Sequence, residues 1–110
     1  MALAAGGTPD ALLLLLRRAD FDAPVRAHAH VVRGRELRCG GEHAAALAEF
    51  DRAVALDPGL VPAHLGRAMA RGDLADYEEA VADLDRALEL RPDYPRAREQ
   101  QAATRAERTP

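Results

Sequence analysis

Apolar positions recur through the middle of the chain at helical rather than alternating intervals. Ala46, Leu47, Phe50, Ala53 and Val54 are separated by one, three, three and one residues, and Ala80, Val81, Leu84, Ala87 and Leu88 repeat the series further on. Such spacing places one apolar stripe along a helix and predicts that this stripe is buried. Pro58 and Pro92 follow the two stripes. A proline cannot continue the hydrogen-bond ladder and biases the residue before it, Asp57 or Arg91, away from the α region, so each helix is predicted to stop there. Gly40 and Gly41 supply a further break. Helices are thus predicted near residues 9–20, 25–39, 43–56, 60–74, 77–90 and 93–108, with Gly72 a place where the fourth ends a turn early.

The pattern is a repeat. Residues 27–60 align with 61–94, and Ala29, His30, Arg33, Ala46, Ala48, Asp51, Arg52, Ala53, Leu56 and Pro58 recur as Ala63, His64, Arg67, Ala80, Ala82, Asp85, Arg86, Ala87, Leu90 and Pro92. Self-similarity at this period marks an array of stacked supersecondary units. Arg33 with Glu49 and Arg67 with Asp83 also recur in register on facing helices, which predicts one structural ion pair inside each unit.

In these positions the chain resembles the tetratricopeptide repeat, a 34-residue helix-turn-helix unit. The family's small positions are matched by Gly34, Ala46 and Ala53 and by Ala68, Ala80 and Ala87, its large core position by Phe50 and Leu84, and its terminal proline by Pro58 and Pro92. Asp76 through Ala80 look like its inter-helix turn, with Asp76 and Glu79 spaced as a capping box. His30 and His64 stand where the family carries an early aromatic, Leu37 and Arg71 where it carries a later one, and Arg33 and Arg67 in place of a leucine. The resemblance implies an all-α fold, a short right-handed superhelix of antiparallel helix pairs. Within a single domain it implies a flexible tail at 1–8, an N-terminal helix at 9–24 resembling half a repeat, repeats at 27–60 and 61–94, and a capping helix at 95–108. Thr8, Pro9 and Asp10 read as the opening of that N-terminal helix.

Composition narrows the function. Hydrophobic residues make up 48% of the chain and aromatics 4%, so the core is built from Ala, Leu and Val, the first two of which favour helix. A net charge of −3 lacks the basic excess that phosphate backbones require, and nucleic acid is not an expected partner. Cys39 is the single cysteine and cannot form an internal disulfide, which fits a reducing, cytoplasmic location. The run Leu12 to Leu16 is too short to span a bilayer and is followed, not preceded, by Arg17 and Arg18, the wrong polarity for a signal peptide.

No nucleophile elbow, phosphate loop or serine is present, so the chain is not expected to be an enzyme and no cofactor is expected. His28 and His30 point in different directions on a helix, and Cys39 with His43 lacks two further ligands, so no metal is expected. The resemblance implies instead a protein-interaction module whose first helices line a concave face. On that face it places His28, Val31, Arg35, Arg38 and Cys39, then Leu65, Met69, Gly72 and Asp73, then Arg96, Glu99 and Ala103. Val31, Leu65 and Met69 would seat an apolar anchor while Arg35 and Arg38 pair with a ligand carboxylate. Relatives that clamp the free carboxylate of a chaperone tail use Lys and Asn at set positions; here Val31, Arg35 and Gly66 occupy the aligned slots and only Arg96 keeps a basic residue, so that ligand is not expected. The alternative is an assembly subunit that self-associates as a homodimer through its leucine-rich N-terminal helix, with Leu13 and Leu15 as the second interface, or through its repeat ends. A third reading is an accessory domain acting beside a larger chain.

Overall fold

The computed structural model of the protein describes residues 19–108, with side chains from Ala23 onward. These residues form five helices: α1 (Ala19–Cys39), α2 (His43–Leu56), α3 (Val61–Asp73), α4 (Tyr77–Leu90) and α5 (Pro95–Arg108). Each packs on the next in order. In addition α1 touches α3 and α3 touches α5, whereas α2 and α4 do not meet. First helices that touch one another while second helices splay apart describe a short α-solenoid whose inner, concave side carries α1, α3 and α5.

The helix ends follow from local chemistry. Asp57 and Arg91, the residues before the two prolines, have φ −146°, ψ 87° and φ −144°, ψ 86°, out of the α region as proline demands. Gly41 takes φ 82° after α1. Gly72 does not end α3 early, since the helix runs to Asp73 and the left-handed residue is Ala75 at φ 63°.

Two expectations need correction. A break was expected between residues 20 and 25, but α1 runs through Pro24 without interruption. The loss of one N–H there is tolerated in a helix whose later turns are fixed by burial of Ala27 and Val31 against α2 and α3. Asp76 does precede α4 as its N-cap, yet no side-chain cap bond forms. Its N–H, which a capping-box Glu79 would accept, is already donated to the Arg71 carbonyl at 2.8 Å in the turn that closes α3. The helix expected near 9–20, with Leu13 and Leu15, and the tail at 1–8 lie outside the described residues.

The core divides into two layers of small and large residues. In the first, Phe50 of α2 is fully buried among Ala27, Val31, Ala46, Ala53 and Ala63. A Cβ at Gly34 would lie 2.8 Å from its ring, and one at Gly66 would lie closer still, so the ring fills the space that two glycines leave on α1 and α3. In the second layer Leu84 packs with Leu65, Ala68, Ala80, Ala87 and Ala97.

Both ion pairs expected from the repeat are present. Glu49 is buried on α2 and is reached by His30 Nδ1 at 2.6 Å, Arg52 at 3.1 Å and Arg33 at 3.3 Å. Asp83, its counterpart on α4, accepts from Arg67 at 2.8 Å and Arg71 at 2.7 Å, and Arg67 extends to Asp51 of the preceding unit at 3.3 Å. His64 is buried and donates Nε2–H to the Pro58 carbonyl at 2.7 Å, tying the start of α3 to the proline turn.

Candidate functional site on the concave face

Two adjoining pockets open on the concave side. The first, about 260 Å³, lies between α1 and α3, with the start of α5 at its edge. Its floor is apolar, from Phe50, Pro62, Leu65 and Met69, and Gly66 adds bare backbone. Its rim is basic, from Arg35, Arg38 and Arg96, with Cys39 beside them. The second, about 220 Å³, lies between α3 and α5 at their C-terminal ends. Ala68, Met69 and Leu84 form its base, and Tyr77, Gln100, Thr104 and Glu107 surround it with polar groups. Arg38 and Asp73 stand at the border. Arg38 lines both pockets, and its guanidinium grips Asp73 with Nε at 2.6 Å from Oδ2 and Nη2 at 3.2 Å from Oδ1. His43 Nδ1 lies 3.1 Å from the same Oδ2.

Of the twelve residues assigned to this face from sequence, Arg35, Arg38, Cys39, Leu65, Met69 and Arg96 converge on the first pocket, and Gly72, Asp73 and Ala103 on the second. Val31 does not reach the surface; it is fully buried in the core beside Phe50 and cannot seat a ligand's apolar side chain. His28 and Glu99 are exposed but line neither pocket. Phe50, Pro62 and Gly66 were missed, as were Tyr77, Gln100, Thr104 and Glu107. Gly66 had a usable signal, since a glycine inside a helix marks a close approach. Its partner Phe50, however, belongs to the preceding unit and is found only once the units are stacked.

The cations differ in their commitments. Arg38 has both ends of its fork on Asp73. Neither Arg35 nor Arg96 makes an ion pair or hydrogen bond with any described residue, and both stay solvated at the rim. An apolar floor under two unpaired guanidinium groups is chemically matched to a side chain of modest size flanked by carboxylates.

A family model described as "Tetratricopeptide repeat" matches residues 61–94. Among solved structures, the second TPR of Spaghetti (RPAP3) bound to the HSP90 peptide SRMEEVD is similar, with TM-score 0.71 and 27% identity over 74% of this chain and 75% of that one. The first TPR of the same protein, bound to the same peptide, gives TM-score 0.72 and 26% identity over 96% of this chain and 82% of that one. Residues 61–94 are a tetratricopeptide repeat, and the described helices have the fold of TPR domains. No curated protein matches the sequence of the chain. The matched span is α3 with α4 and the turns beside them, and residues 27–60, which align with it, carry the same small, large and proline positions. Among the described residues, no helix is long and apolar enough to cross a membrane.

Proposed function

We propose that this protein is a non-catalytic interaction module, a cytoplasmic scaffold or adaptor, that takes an acidic segment of a protein or peptide partner into its concave groove. The observation that carries the reading is the pair of uncommitted cations, Arg35 and Arg96, on the rim of a pocket floored by Phe50, Leu65 and Met69. A ligand carboxylate gains charge-assisted hydrogen bonds there, and an adjacent apolar side chain leaves water for the floor. The similar TPR domains of Spaghetti, solved with the acidic peptide SRMEEVD, support a peptide as the partner class.

The mode of recognition differs from a clamp on a chain terminus. Of the slots in which relatives place clamp side chains, Val31 is buried, and Gly66 has no side chain and no room for one against Phe50. Internal Glu and Asp side chains, rather than a free C-terminal carboxylate, are therefore the groups recognised. Fluorescence anisotropy with labelled SRMEEVD tests this. A tail clamped by its terminal carboxylate is not expected, so the peptide serves here as a source of adjacent glutamates. We expect binding that weakens at least about tenfold in Arg35→Glu or Arg96→Glu and on replacing its two glutamates by glutamine, but changes less than about twofold when its C-terminus is amidated. Binding indifferent to both arginines would remove the groove from the function.

A second reading, self-association, draws on Val25 and Val32, which are 61% and 40% exposed and lie two turns apart on one face of α1. The leucines Leu13 and Leu15 precede the same helix in sequence. Under this reading light scattering gives a mass that rises with concentration and falls to the monomer value in Val25→Glu; a monomer throughout sets it aside.

A further inference from the structure

Asp73 was placed among the residues that touch a partner, and its surroundings assign it the opposite role. Both carboxylate oxygens are taken by one guanidinium, Arg38, in the two-pronged geometry that an arginine offers any carboxylate. Arg38 is the only one of the three rim cations so occupied; Arg35 and Arg96, on the same pocket, have no partner among the described residues. The pair stands on the border of the two pockets and joins α1 to α3 across the mouth of the groove. It is partly solvated, with side chains 31% and 23% exposed, so neither partner is trapped and the contact is of the weak, exchangeable kind.

We propose that Asp73 is a built-in competitor: in the empty groove its carboxylate occupies Arg38, and an incoming acidic segment takes Arg38 from it. The proposal rests on the acidic-segment reading of the groove. His43 makes the exchange inexpensive, because its Nδ1, which has no hydrogen bond of its own, lies 3.1 Å from Asp73 Oδ2 and remains beside the carboxylate after Arg38 has turned away. The groove thus carries three ligand-facing cations, of which one is masked until a carboxylate of sufficient affinity displaces the internal one. The consequence is selectivity for segments with more than one acidic side chain. A single carboxylate is met by the free arginines, and only a further one engages Arg38.

The test is a double-mutant cycle read by anisotropy with labelled SRMEEVD, on wild type, Asp73→Asn, Arg38→Gln and the double variant, each first checked for native helicity by circular dichroism. Asp73→Asn is expected to bind about threefold to tenfold tighter than wild type, because the unmasked fork no longer has to be released. Arg38→Gln is expected to bind more weakly, and adding Asp73→Asn to it to change the affinity by less than about twofold. Weaker binding by Asp73→Asn would make Asp73 a direct contact to the ligand and overturn the proposal, and unchanged binding would make the pair inert and overturn it too. A gain of equal size in the Arg38→Gln background would reduce the effect to the loss of one negative charge near the groove, which also overturns it. If wild type binds and Arg35→Glu abolishes binding while Asp73→Asn shows no gain, the groove reading stands and the competitor falls alone. If no form binds, both fall.

Discussion

Repeat 1 and repeat 2 solve the same packing problem with different volumes. At the large core position repeat 1 has Phe50, facing Gly34 of its own first helix and Gly66 of the next; the equivalent three residues one unit later are Leu84, Ala68 and Gln100. A benzyl ring needs both facing positions stripped to hydrogen, whereas an isobutyl group leaves room for a methyl on one side and a longer side chain on the other. Ala68, Leu84 and Gln100 line the second pocket, while Phe50 closes the base of the first. What the comparison teaches is that large and small positions in a solenoid are set jointly across neighbouring units, and that the core residue of each unit also forms part of the base of a pocket on the concave side.

The largest effects come from breaking this match. Phe50→Ala empties a site whose walls are glycines with nothing to extend into it, and we expect a loss of about 3–5 kcal/mol in urea unfolding, at the high end for such truncations. Gly66→Ala drives a methyl into the ring and should cost about 1–3 kcal/mol, less the gain of somewhat under about 1 kcal/mol that alanine brings to a helix interior. Phe50→Leu costs something alone but should rescue Gly66→Ala, since together they rebuild the volumes of repeat 2. Two changes that merely add would show that ring and glycines are not coupled.

Much of this was legible in the sequence, and what was not has a common cause. The helical stripes, the stops before Pro58 and Pro92, the repeated Arg–carboxylate pairs and Gly34 as a small position all depend on local spacing or on register between units, which one chain displays directly. Val31 was misplaced because a residue near the edge of a helix stripe faces either the core or the groove according to how closely α1 and α3 approach. That approach is set by Phe50 between its two glycines. Gly66 and the second pocket were invisible for the same reason, being products of contacts between units. The capping box at Asp76 and Glu79 failed on a different point: the spacing was right, but the N–H it needed was already donated to the end of the previous helix.

The carboxylate clusters give the next contrast in size. Asp83 is held by Arg67 and Arg71, both only 19% exposed, and through Arg67 the cluster reaches into repeat 1. Burial, the largest single influence, would lower the Arg67 pKa, yet the hydrogen bonds and charges of Asp83 and Asp51 together outweigh it and the net shift is upward. Glu49 instead depends on His30, with Arg33 and Arg52 largely in water at 68% and 63% exposure. Asp83→Asn strands two half-buried guanidinium groups and should cost about 2–3 kcal/mol, whereas Glu49→Gln should cost about 1 kcal/mol or less at neutral pH. The Glu49 contribution also depends on pH. The His30 hydrogen bond, aided by the charges of His30, Arg52 and Arg33 and opposed by burial, holds the Glu49 carboxyl below its ordinary value. Its folded pKa therefore lies under its unfolded one, so its stabilisation is complete above the ordinary glutamate range and disappears as the pH falls through the lowered folded value. Urea midpoints of wild type and Glu49→Gln, measured from about pH 6 downward, should converge over that window. A gap that stays constant would mean that Glu49 contributes through shape rather than charge.

The smallest effect isolates a backbone difference between the two repeats. Their inter-helix turns are closed by equivalent bonds: Glu42 N–H to the Leu37 carbonyl at 2.9 Å and Gly41 N–H to Arg38 at 3.0 Å, then Asp76 N–H to Arg71 at 2.8 Å and Ala75 N–H to Gly72 at 3.0 Å. Both turns require a residue with positive φ, and repeat 1 uses glycine where repeat 2 uses alanine. An alanine in that conformation crowds its Cβ against the following carbonyl, at about 1–2 kcal/mol, while glycine loses about 0.5–1 kcal/mol more chain entropy on folding. Ala75→Gly should therefore raise stability by up to about 1 kcal/mol, and Gly41→Ala should lower it by a similar amount. A Cβ at Gly41 would meet nothing within 4 Å, so that loss reads conformation and not a clash. If Ala75→Gly left the urea midpoint unchanged while Gly41→Ala lowered it, the two turns would differ in something other than the residue at the left-handed position, and the equivalence drawn between the repeats would hold for their bonds but not for their energies.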